Sequence, residues 1–370
     1  MIIGVPREIK VEEYRVGMIP SMAKSFTSRG HEVLVEPGLG VGSGFDDAEY
    51  VAAGATLVEK KEELFERSDM IIKVKEPQPE EYGLLREGQV LFTYLHLAAD
   101  KAQAEALLAR KIIGIAYETV ELDDGSLPLL TPMSEIAGRL SVQEGAKYLE
   151  KSFGGRGILL GGVPGIYRGT VVIIGGGVVG TNACKVAVGL GADVYILDIS
   201  AKRLAYLDDI FSTRVTTLYS HEANVAEIIQ RADVVVGAVL IPGASAPRLV
   251  HRSQLKTMKK GAVLVDVAVD QGGCIESTRV TTHKEPVFIE EGIVHYGVAN
   301  MPSAVALSST IALTSVTFPY ALSIAERGLK DALARSLPLR KGVNLYEGAC
   351  TYKGVSESLG LEYTPVDQVL

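Results

Sequence analysis

A glycine-rich turn in the middle of the chain has the order of elements that binds a dinucleotide. The β-branched residues 171–174 predict a buried strand, which leads into Gly175, Gly177 and Gly180 and then into a predicted helix. In this pattern the first glycine allows a tight turn, the second lets the backbone approach a pyrophosphate, and the third lets helix pack on strand. The helix N-terminus offers free N–H groups to the anion. The motif alone is weak, but the strand–turn–helix order makes it a specific prediction.

An acidic residue follows this turn at the distance expected for a ribose contact. Residues 193–197 predict the next strand, and Asp198 follows it directly, eighteen residues after Gly180. A carboxylate there accepts hydrogen bonds from the adenosine ribose and repels a 2′-phosphate, so we predict NAD as the cofactor. Arg203 lies nearby and keeps NADP open as an alternative. The glycines at 38–44 are not followed at the right distance by a strand that ends in an acidic residue, so we interpret them as a structural turn.

Cations in the first part of the chain could bind an anionic substrate. Arg15 lies beside apolar residues in the loop after the first predicted strand, where its guanidinium could bind a carboxylate through two hydrogen bonds. The competing interpretation is that Arg15 forms a surface salt bridge. Lys73 and Lys75 alternate along the predicted strand 70–75, so both should lie on one face with Val74 opposite. Position alone does not separate them, but Lys75 is nearer the strand end and better placed to reach a cleft.

Proton transfer needs a group that titrates near neutral pH, and His96 has the best setting. It closes the predicted strand 90–95 and precedes small apolar residues, so it could act as a general acid or base, with a structural histidine as the alternative. Asp270, which ends an apolar run before two glycines, could orient His96 or stabilise a substrate ammonium. Asp266 competes for that role, and Asp270 could instead cap a helix.

Alternating strands and helices must position these side chains. In the first part we predict strands at 2–5, 31–36, 70–75, 90–95 and 112–116, and helices at 20–29 and 46–53. In the second part we predict strands at 171–174, 193–197, 234–238, 262–267 and 293–298. Such alternation predicts parallel sheets covered on both faces. The expected fold class is α/β, with two doubly wound parallel-sheet domains, a Rossmann NAD-binding domain and a Rossmann-like substrate domain, joined by long helices.

Two long stretches with helical spacing, 133–152 and 308–326, are predicted to link the domains. A further helix is predicted at 329–336 and should stop at Pro338. Too few residues follow the second sheet for an independent third core, so we expect the chain to return to the first domain. The predicted substrate and catalytic domain is therefore discontinuous, 1–130 and 308–370, and the NAD-binding domain is 131–307.

Composition limits the class of protein. The chain has 370 residues, of which 47% are hydrophobic and 22% charged, which is typical of a globular protein with two domains. The formal net charge of −8 and the absence of a long basic stretch argue against a nucleic-acid partner. Cys184, Cys274 and Cys350 lack metal-ligand or disulfide spacing, so we expect no metal and a reducing compartment. The apolar runs look too short to cross a bilayer, so we expect a soluble, cytoplasmic protein without a membrane partner.

Short segments spread along essentially the whole chain resemble the alanine dehydrogenase family. The matching segments are Gly4-Val5-Pro6-Arg7-Glu8, Glu13-Tyr14-Arg15-Val16, Lys73-Val74-Lys75-Glu76-Pro77, Thr93-Tyr94-Leu95-His96-Leu97-Ala98, Pro132-Met133-Ser134-Glu135, Gly161-Gly162-Val163-Pro164-Gly165, Asp270-Gln271-Gly272-Gly273 and Val298-Ala299-Asn300-Met301-Pro302. Together these segments make the resemblance highly specific.

The resemblance implies the NAD-dependent oxidative deamination of L-alanine to pyruvate and ammonia, and the reverse reductive amination. It implies that Arg15 and Lys75 hold the substrate carboxylate and carbonyl, that His96 is the acid/base, and that Asp270 is its partner when two domains close. It also implies a homohexamer. The predicted cofactor-binding set consists of Ser134, Gly175, Gly177, Val178, Val179, Gly180, Asp198, Arg203, Ser220, Val239, Leu240, Val267, Asp270, Arg279, Val298, Asn300 and Met301.

Other activities share the expected fold. The nucleotide-binding domain of a proton-translocating transhydrogenase would transfer hydride between two nucleotides and would not need Arg15, Lys75 and His96 as a substrate set. A lysine- or opine-forming relative would act on a larger amino acid. An NAD-binding regulator would bind the cofactor without turnover. Alanine-dependent formation of NADH discriminates among these alternatives.

Overall fold

The computed structural model describes residues 1–239 and 246–370 of the chain. These residues form two units, Met1–Met133 with Ser303–Leu370, and Ser134–Pro302. The first unit is therefore built from two separate stretches of chain, and the second from one. Each unit contains a sheet with helices packed against it.

Short, mostly buried strands make up the two sheets. In chain order they are β1 (Ile2–Val5), β2 (Glu32–Val35), β3 (Thr56–Leu57), β4 (Met70–Ile72), β5 (Val90–Thr93), β6 (Ile113–Ala116), β7 (Thr170–Ile174), β8 (Asp193–Asp198), β9 (Val215–Tyr219), β10 (Val234–Gly237), β11 (Val263–Asp266), β12 (Val287–Glu290), β13 (Ile293–Tyr296), β14 (Val343–Tyr346) and β15 (Ala349–Cys350). Their Val, Ile and Leu side chains form the centre of each unit's core.

Helices connect most of these strands. They are α1 (Pro20–Thr27), α2 (Asp47–Ala52), α3 (Lys61–Arg67), α4 (Pro79–Tyr82), α5 (Lys101–Ala109), α6 (Thr131–Tyr148), α7 (Val178–Gly189), α8 (Ala201–Phe211), α9 (Glu222–Ile229), α10 (Ala306–Arg327), α11 (Leu329–Arg335), α12 (Leu337–Lys341) and α13 (Lys353–Leu359). Local sequence sets several helix starts. The Asp46 side chain caps α2 and forms a capping box with Glu49.

The two sheets share one strand order. The first sheet runs β15-β14-β6-β5-β4-β1-β2-β3, and the second runs β12-β13-β11-β10-β7-β8-β9. In the first sheet, strands β1 to β6 pair in parallel, and β14 and β15 are antiparallel additions at one edge. In the second sheet, β7 to β11 and β13 pair in parallel, and β12 is antiparallel to β13. This is the doubly wound order, so the predicted α/β fold class is confirmed, with antiparallel strands added at the edges.

Doubly wound sheets have one place where the strand order reverses, and a crevice opens there at the carboxyl ends of the strands. In the first sheet the reversal lies between β1 and β4, which pair through Ile3–Met70 and Gly4–Ile71. In the second sheet it lies between β7 and β10. Each unit therefore has one preferred edge for a ligand.

Several predicted element bounds are wrong. Strand β4 ends at Ile72 and β5 at Thr93, although apolar residues continue in the sequence, because the chain leaves the ladder at the carboxyl edge of the sheet. Pro338 does not end a helix but lies in the first turn of α12, where its missing N–H leaves no bond unmade. The antiparallel strands β12, β14 and β15 were not predicted.

One helical segment of the described residues, Met301–Arg327, is long and apolar enough to cross a membrane by length and composition, with a mean hydropathy of 1.4. The expectation that every apolar run is too short does not hold for it. A single such segment is weak evidence for a membrane span, because core helices pass the same test.

Within the first unit, Thr310 of α10 accepts a hydrogen bond from the main-chain N–H of Val16 at 3.2 Å.

Candidate active site

Arg15 is a buried cation in the loop that follows β1. Only 3% of its surface is exposed. Its Nε lies 2.7 Å from Glu13 Oε1, its Nη2 lies 2.5 Å from Glu13 Oε2, and its Nη1 lies 3.1 Å from Met133 Sδ. Burial alone would lower the Arg15 pKa, but the Glu13 carboxylate outweighs burial and raises it. The surface salt bridge considered for Arg15 is thus wrong: Glu13 fixes a planar, charged guanidinium inside the unit.

Lys73 belongs to a buried ion-pair cluster. Its Nζ lies 3.1 Å from Glu8 Oε2 and 3.2 Å from Glu81 Oε1, and no part of Lys73 is exposed. Burial acts to lower the Lys73 pKa, and the two carboxylates raise it above its ordinary value, so the side chain is a charged structural group. The strand-period argument that grouped Lys73 with Lys75 fails, because β4 ends at Ile72.

Lys75 has a different electrostatic setting. Its pKa is lowered, first because burial disfavours the charged ammonium and second because the Arg15 guanidinium repels it. Two cations are thus held near one another at the carboxyl ends of β1 and β4. An anion placed between them would relieve that repulsion, which is the behaviour expected of a carboxylate-binding pair.

Glu8 joins the two loops that carry these cations. Its Oε1 accepts hydrogen bonds from the main-chain N–H groups of Val74 at 2.6 Å and Lys75 at 3.3 Å, while its Oε2 pairs with Lys73. Burial raises the Glu8 pKa, which Lys73 partly offsets. Glu8 lies in one of the segments that resemble the family but was not predicted as a site residue, because its partners are distant in the sequence.

His96 lies in the loop after β5 with a left-handed backbone, φ 50° and ψ 32°. Its main-chain N–H donates to Glu118 Oε1 at 2.6 Å. Its Nδ1 lies 3.3 Å from Glu76 Oε2, and its side chain is 44% exposed. The structure therefore brings Arg15, Lys75 and His96 to the carboxyl edge of one sheet, together with Glu13, Glu8, Glu76 and Glu118, which the sequence analysis did not single out.

The glycine-rich turn of the second unit has the backbone geometry that its three motif glycines predict. Gly175 has φ 106°, and a Cβ there would lie 2.6 Å from the carbonyl oxygen of Ala238. A Cβ on Gly180 would lie 1.8 Å from the carbonyl oxygen of Gly175, whereas one on Gly177 would meet nothing within 4 Å. The first and third glycines are thus needed for close packing, and the second leaves open space at the start of α7, where a phosphate could approach.

Asp198 and Arg203 both hold this turn. Asp198 Oδ2 accepts the main-chain N–H of Gly176 at 2.7 Å. Arg203 donates from Nε to the Gly176 carbonyl at 2.5 Å and from Nη2 to Thr181 Oγ1 at 2.6 Å, and its guanidinium lies 4.7 Å from the ring centroid of Tyr206. The guanidinium is therefore engaged with the turn and a neighbouring ring.

Two aspartates competed for a role after β11, and their contacts separate them. Asp266 is 1% exposed and accepts main-chain hydrogen bonds from Ala268, Cys274 and Ile275, so it stabilises a buried loop. Asp270 is exposed and lies inside the 3-10 turn Val269–Gln271. The residue at the capping position before this turn is Ala268, so the helix-capping alternative for Asp270 is wrong. Its Oδ2 accepts the main-chain N–H of Asn300 at 3.3 Å.

Most other predicted cofactor residues follow strands of the second sheet at its carboxyl edge. Ser220 follows β9, Val239 follows β10, Val267 follows β11, and Val298 lies just beyond β13. Leu240 lies outside the described residues.

The remaining predicted cofactor residues lie around this edge. Ser134 is one helical turn before Gly138 on α6, and a Cβ on Gly138 would lie 2.2 Å from the carbonyl oxygen of Val179, near the start of α7. Arg279 stacks on Phe288 at 4.2 Å. Met301 is buried.

Comparison with known proteins gives a consistent family. The model described as the alanine dehydrogenase/PNT N-terminal domain matches residues 4–137, and the one described as the C-terminal domain matches residues 141–353. An alanine dehydrogenase of Methanococcus maripaludis is 56% identical over all of both chains. A solved structure of an L-alanine dehydrogenase has a TM-score of 0.94 and 51% identity, covering 97% of this chain and 99% of that one.

A transhydrogenase structure from Sinorhizobium meliloti is also similar, with a TM-score of 0.81 and 25% identity, covering 95% of this chain and 99% of that one. The same fold thus occurs with two different activities, and the site residues must distinguish them.

Proposed function

This chain belongs to the alanine dehydrogenase/PNT family, and we propose that it catalyses the NAD-dependent oxidative deamination of L-alanine to pyruvate and ammonia, and the reverse reductive amination. The observation that carries the proposal is the pair of cations, the buried Arg15 and the half-buried Lys75, at the same sheet edge as a histidine. Such a set suits a small 2-oxo or 2-amino acid, which presents a carboxylate and a group that exchanges protons.

Arg15 and Lys75 bind the substrate's oxygen atoms. Glu13 holds the Arg15 guanidinium rigidly, so little conformational entropy is lost when it binds a carboxylate. The Lys75 ammonium, whose pKa burial and Arg15 lower, gains stability as soon as an anion is bound beside it. Both cations also stabilise the negative charge that develops on the substrate oxygen during the reaction. This charge develops when the carbinolamine, which forms by addition of water to the iminium acid, breaks down to the ketone.

His96 manages the protons of the reaction. After hydride leaves the alanine Cα, the substrate is an iminium acid, and water adds to it while His96 accepts a proton from that water. The proton then passes to the carbinolamine nitrogen. As ammonia leaves, the carbinolamine hydroxyl gives its proton to His96, which releases it to form ammonium. The proton released overall is the one that the alanine ammonium loses before hydride transfer. The balance is alanine, NAD⁺ and water giving pyruvate, ammonium, NADH and a proton. Asp270 remains our proposal for the partner of His96 in this step.

The residues of the second unit fit a pyridine dinucleotide. Gly177 leaves room at the start of α7 for the diphosphate. Asp198 is the last residue of β8, the strand that pairs with β7. When bound, the nicotinamide supplies the hydride acceptor. We propose NAD over NADP because Asp198 would repel a 2′-phosphate and Arg203 already donates to the turn and to Thr181. The rest of the predicted cofactor-binding set is proposed on the family resemblance.

The family resemblance also supports a homohexamer in the cytoplasm, and we include both in the proposal. The substrates are small molecules, and neither a nucleic acid nor a membrane takes part in the proposed reaction.

The first test is alanine-dependent formation of NADH by the purified full chain, with a panel of other amino acids. The His96→Ala variant should lose about 10²- to 10⁴-fold in turnover, because general acid–base catalysis contributes about that much. It should still bind NADH, which a fluorescence titration measures as the control. Near-normal alanine oxidation by this variant would reject the role of His96. Hydride transfer between two nucleotides without alanine would favour the transhydrogenase alternative.

A further inference from the structure

Glu76 lies at the centre of a small polar cluster beside His96. Its Oε2 is 3.3 Å from His96 Nδ1, and its Oε1 accepts from Lys10 Nζ. The Glu76 side chain is only 11% exposed, whereas those of His96 and Lys10 are 44% and 39% exposed. Glu76 thus connects the histidine to the first loop of the unit from a nearly buried position.

The contact between Glu76 and His96 defines which ring nitrogen carries a proton. Burial acts to raise the Glu76 pKa, but the hydrogen bond from His96 and the charge of Lys75 outweigh it, so the pKa is lowered and the group is a carboxylate at neutral pH. A carboxylate only accepts hydrogen bonds, so Nδ1 must donate. In neutral His96 the other nitrogen, Nε2, is then the one that can take up a proton.

The main chain and the ring of His96 are held separately. Glu118 accepts from the N–H groups of Leu95 and His96, which fixes the left-handed backbone. The Tyr94 ring lies 5.7 Å from the imidazole, centroid to centroid, at an interplanar angle of 31°. Neither contact determines the tautomer. Among the contacts that the structure describes for the imidazole, Glu76 is the one that can.

We propose that Glu76 is the positioning residue of His96: its carboxylate orients the imidazole through Nδ1–H and presents Nε2 as the atom that exchanges protons with substrate. The inference rests on the proposed function, since it concerns how His96 performs the acid–base step. It assigns the orientation of the ring to a carboxylate of the same unit and leaves to Asp270 the proposed role of balancing the charge of the protonated ring.

The charges around the ring predict the sign of each substitution. Glu76 places a negative charge beside the imidazole, and Lys10 and Lys75 partly neutralise Glu76 from the loops after β1 and β4. Glu118 and Tyr94 also face His96, and neither is changed in the test. Removing the Glu76 charge therefore favours the neutral ring, whereas removing the Lys10 charge favours the protonated ring.

The experiment measures kcat for alanine oxidation against pH at saturating alanine and NAD, where the acidic limb reports the base in the enzyme–substrate complex. In Glu76→Gln the amide oxygen can still accept from Nδ1, so the ring stays in place while the charge is lost. The acidic limb should move to lower pH, because the negative charge beside the ring is lost. Lys10→Gln should move the limb in the opposite direction.

Glu80→Gln is the matched control, because it removes the same charge from the same part of the chain. Glu80 is an exposed glutamate at the start of α4. Its profile should overlay that of the wild type. An unshifted limb in Glu76→Gln, or equal shifts in Glu76→Gln and Glu80→Gln, would overturn the positioning role. A wild-type chain without alanine-dependent NADH formation would instead overturn the proposed function, so the two failures are distinguishable.

Discussion

At the scale of single residues, burial and partners assign roles that residue type leaves open. Lys73 and Lys75 are the same amino acid two positions apart, yet Lys73 neutralises the buried Glu8 and Glu81, and Lys75 lies beside Arg15. A buried ammonium with two carboxylates is a structural group, because separating it would leave uncompensated charge in the core. Lys75, by contrast, is half-buried, and its pKa is lowered because burial and the Arg15 guanidinium disfavour the ammonium more than Glu76 and Glu13 favour it.

Asp198→Ala tests cofactor discrimination. Loss of a hydrogen bond to a charged group costs about 1.5 to 3 kcal/mol, so we expect the affinity for NAD to fall about 10- to 100-fold. The affinity for NADP should fall less or rise, because the repulsion of the 2′-phosphate is lost as well.

Asp193→Ala is the control, since Asp193 is an exposed aspartate at the other end of β8. The measurement is the ratio of the two dissociation constants, because a loosened turn would weaken both nucleotides together. An unchanged ratio in Asp198→Ala would mean that the ribose contact is misplaced.

At the scale of elements, the predicted site residues lie in the loops that follow strand ends. Arg15, Lys75 and His96 follow β1, β4 and β5, while the glycine turn follows β7. Parallel strands place these loops at one edge of each sheet. The loops are then tied by side chains, as Glu8 ties the loop of Lys75 to the one after β1.

Two Gly→Ala substitutions on α7 should have opposite effects. In Gly180→Ala the new methyl would meet the Gly175 carbonyl at 1.8 Å, so the turn must shift. Overpacking of this kind costs about 1 to 3 kcal/mol, and NADH affinity should fall with it. Gly189→Ala, at the exposed end of the same helix, meets nothing within 4 Å and should be neutral or stabilising by up to about 1 kcal/mol.

Thermal unfolding midpoints and NADH titrations measure both α7 variants. If Gly180→Ala bound NADH like the wild type, close packing of the turn would not be required for the cofactor.

At the scale of the whole molecule, the chain repeats one doubly wound strand order in two units, and we propose that each unit binds a different class of ligand. The first unit has the buried Arg15 and the half-buried Lys75 at its switch point, and the second has open space beside Gly177. Each ligand should therefore stabilise its own unit. Binding stabilises the unit that binds by about 2.7 kcal/mol at a ligand concentration of 100 times Kd.

Hydrogen exchange with each ligand alone tests this division. NADH should slow exchange in peptides around 175–180 and 198–203 of the second unit, and pyruvate should slow it around Arg15 and Lys75 of the first. The unliganded chain is the reference. Protection of the 175–180 segment by pyruvate alone, without protection around Arg15, would contradict the assignment.

Local patterns were enough to predict the glycine turn, the acid at the end of β8, and the alternation of strands and helices, because each depends on backbone conformation or periodicity over a few residues. The family resemblance supplied the roles of Arg15, Lys75, His96 and Asp270, and those roles stay predictions that the experiments above test.

Tertiary structure decided what depends on contacts between distant segments. It separated Lys73 from Lys75 by ending β4 at Ile72 and surrounding Lys73 with Glu8 and Glu81. It separated Asp266 from Asp270 by giving Asp266 three main-chain donors. Glu76 reached His96 only because the loops after β4 and β5 lie side by side. Such pairings leave no periodic trace in the sequence, since the energy of a buried charge depends on neighbours that folding brings together.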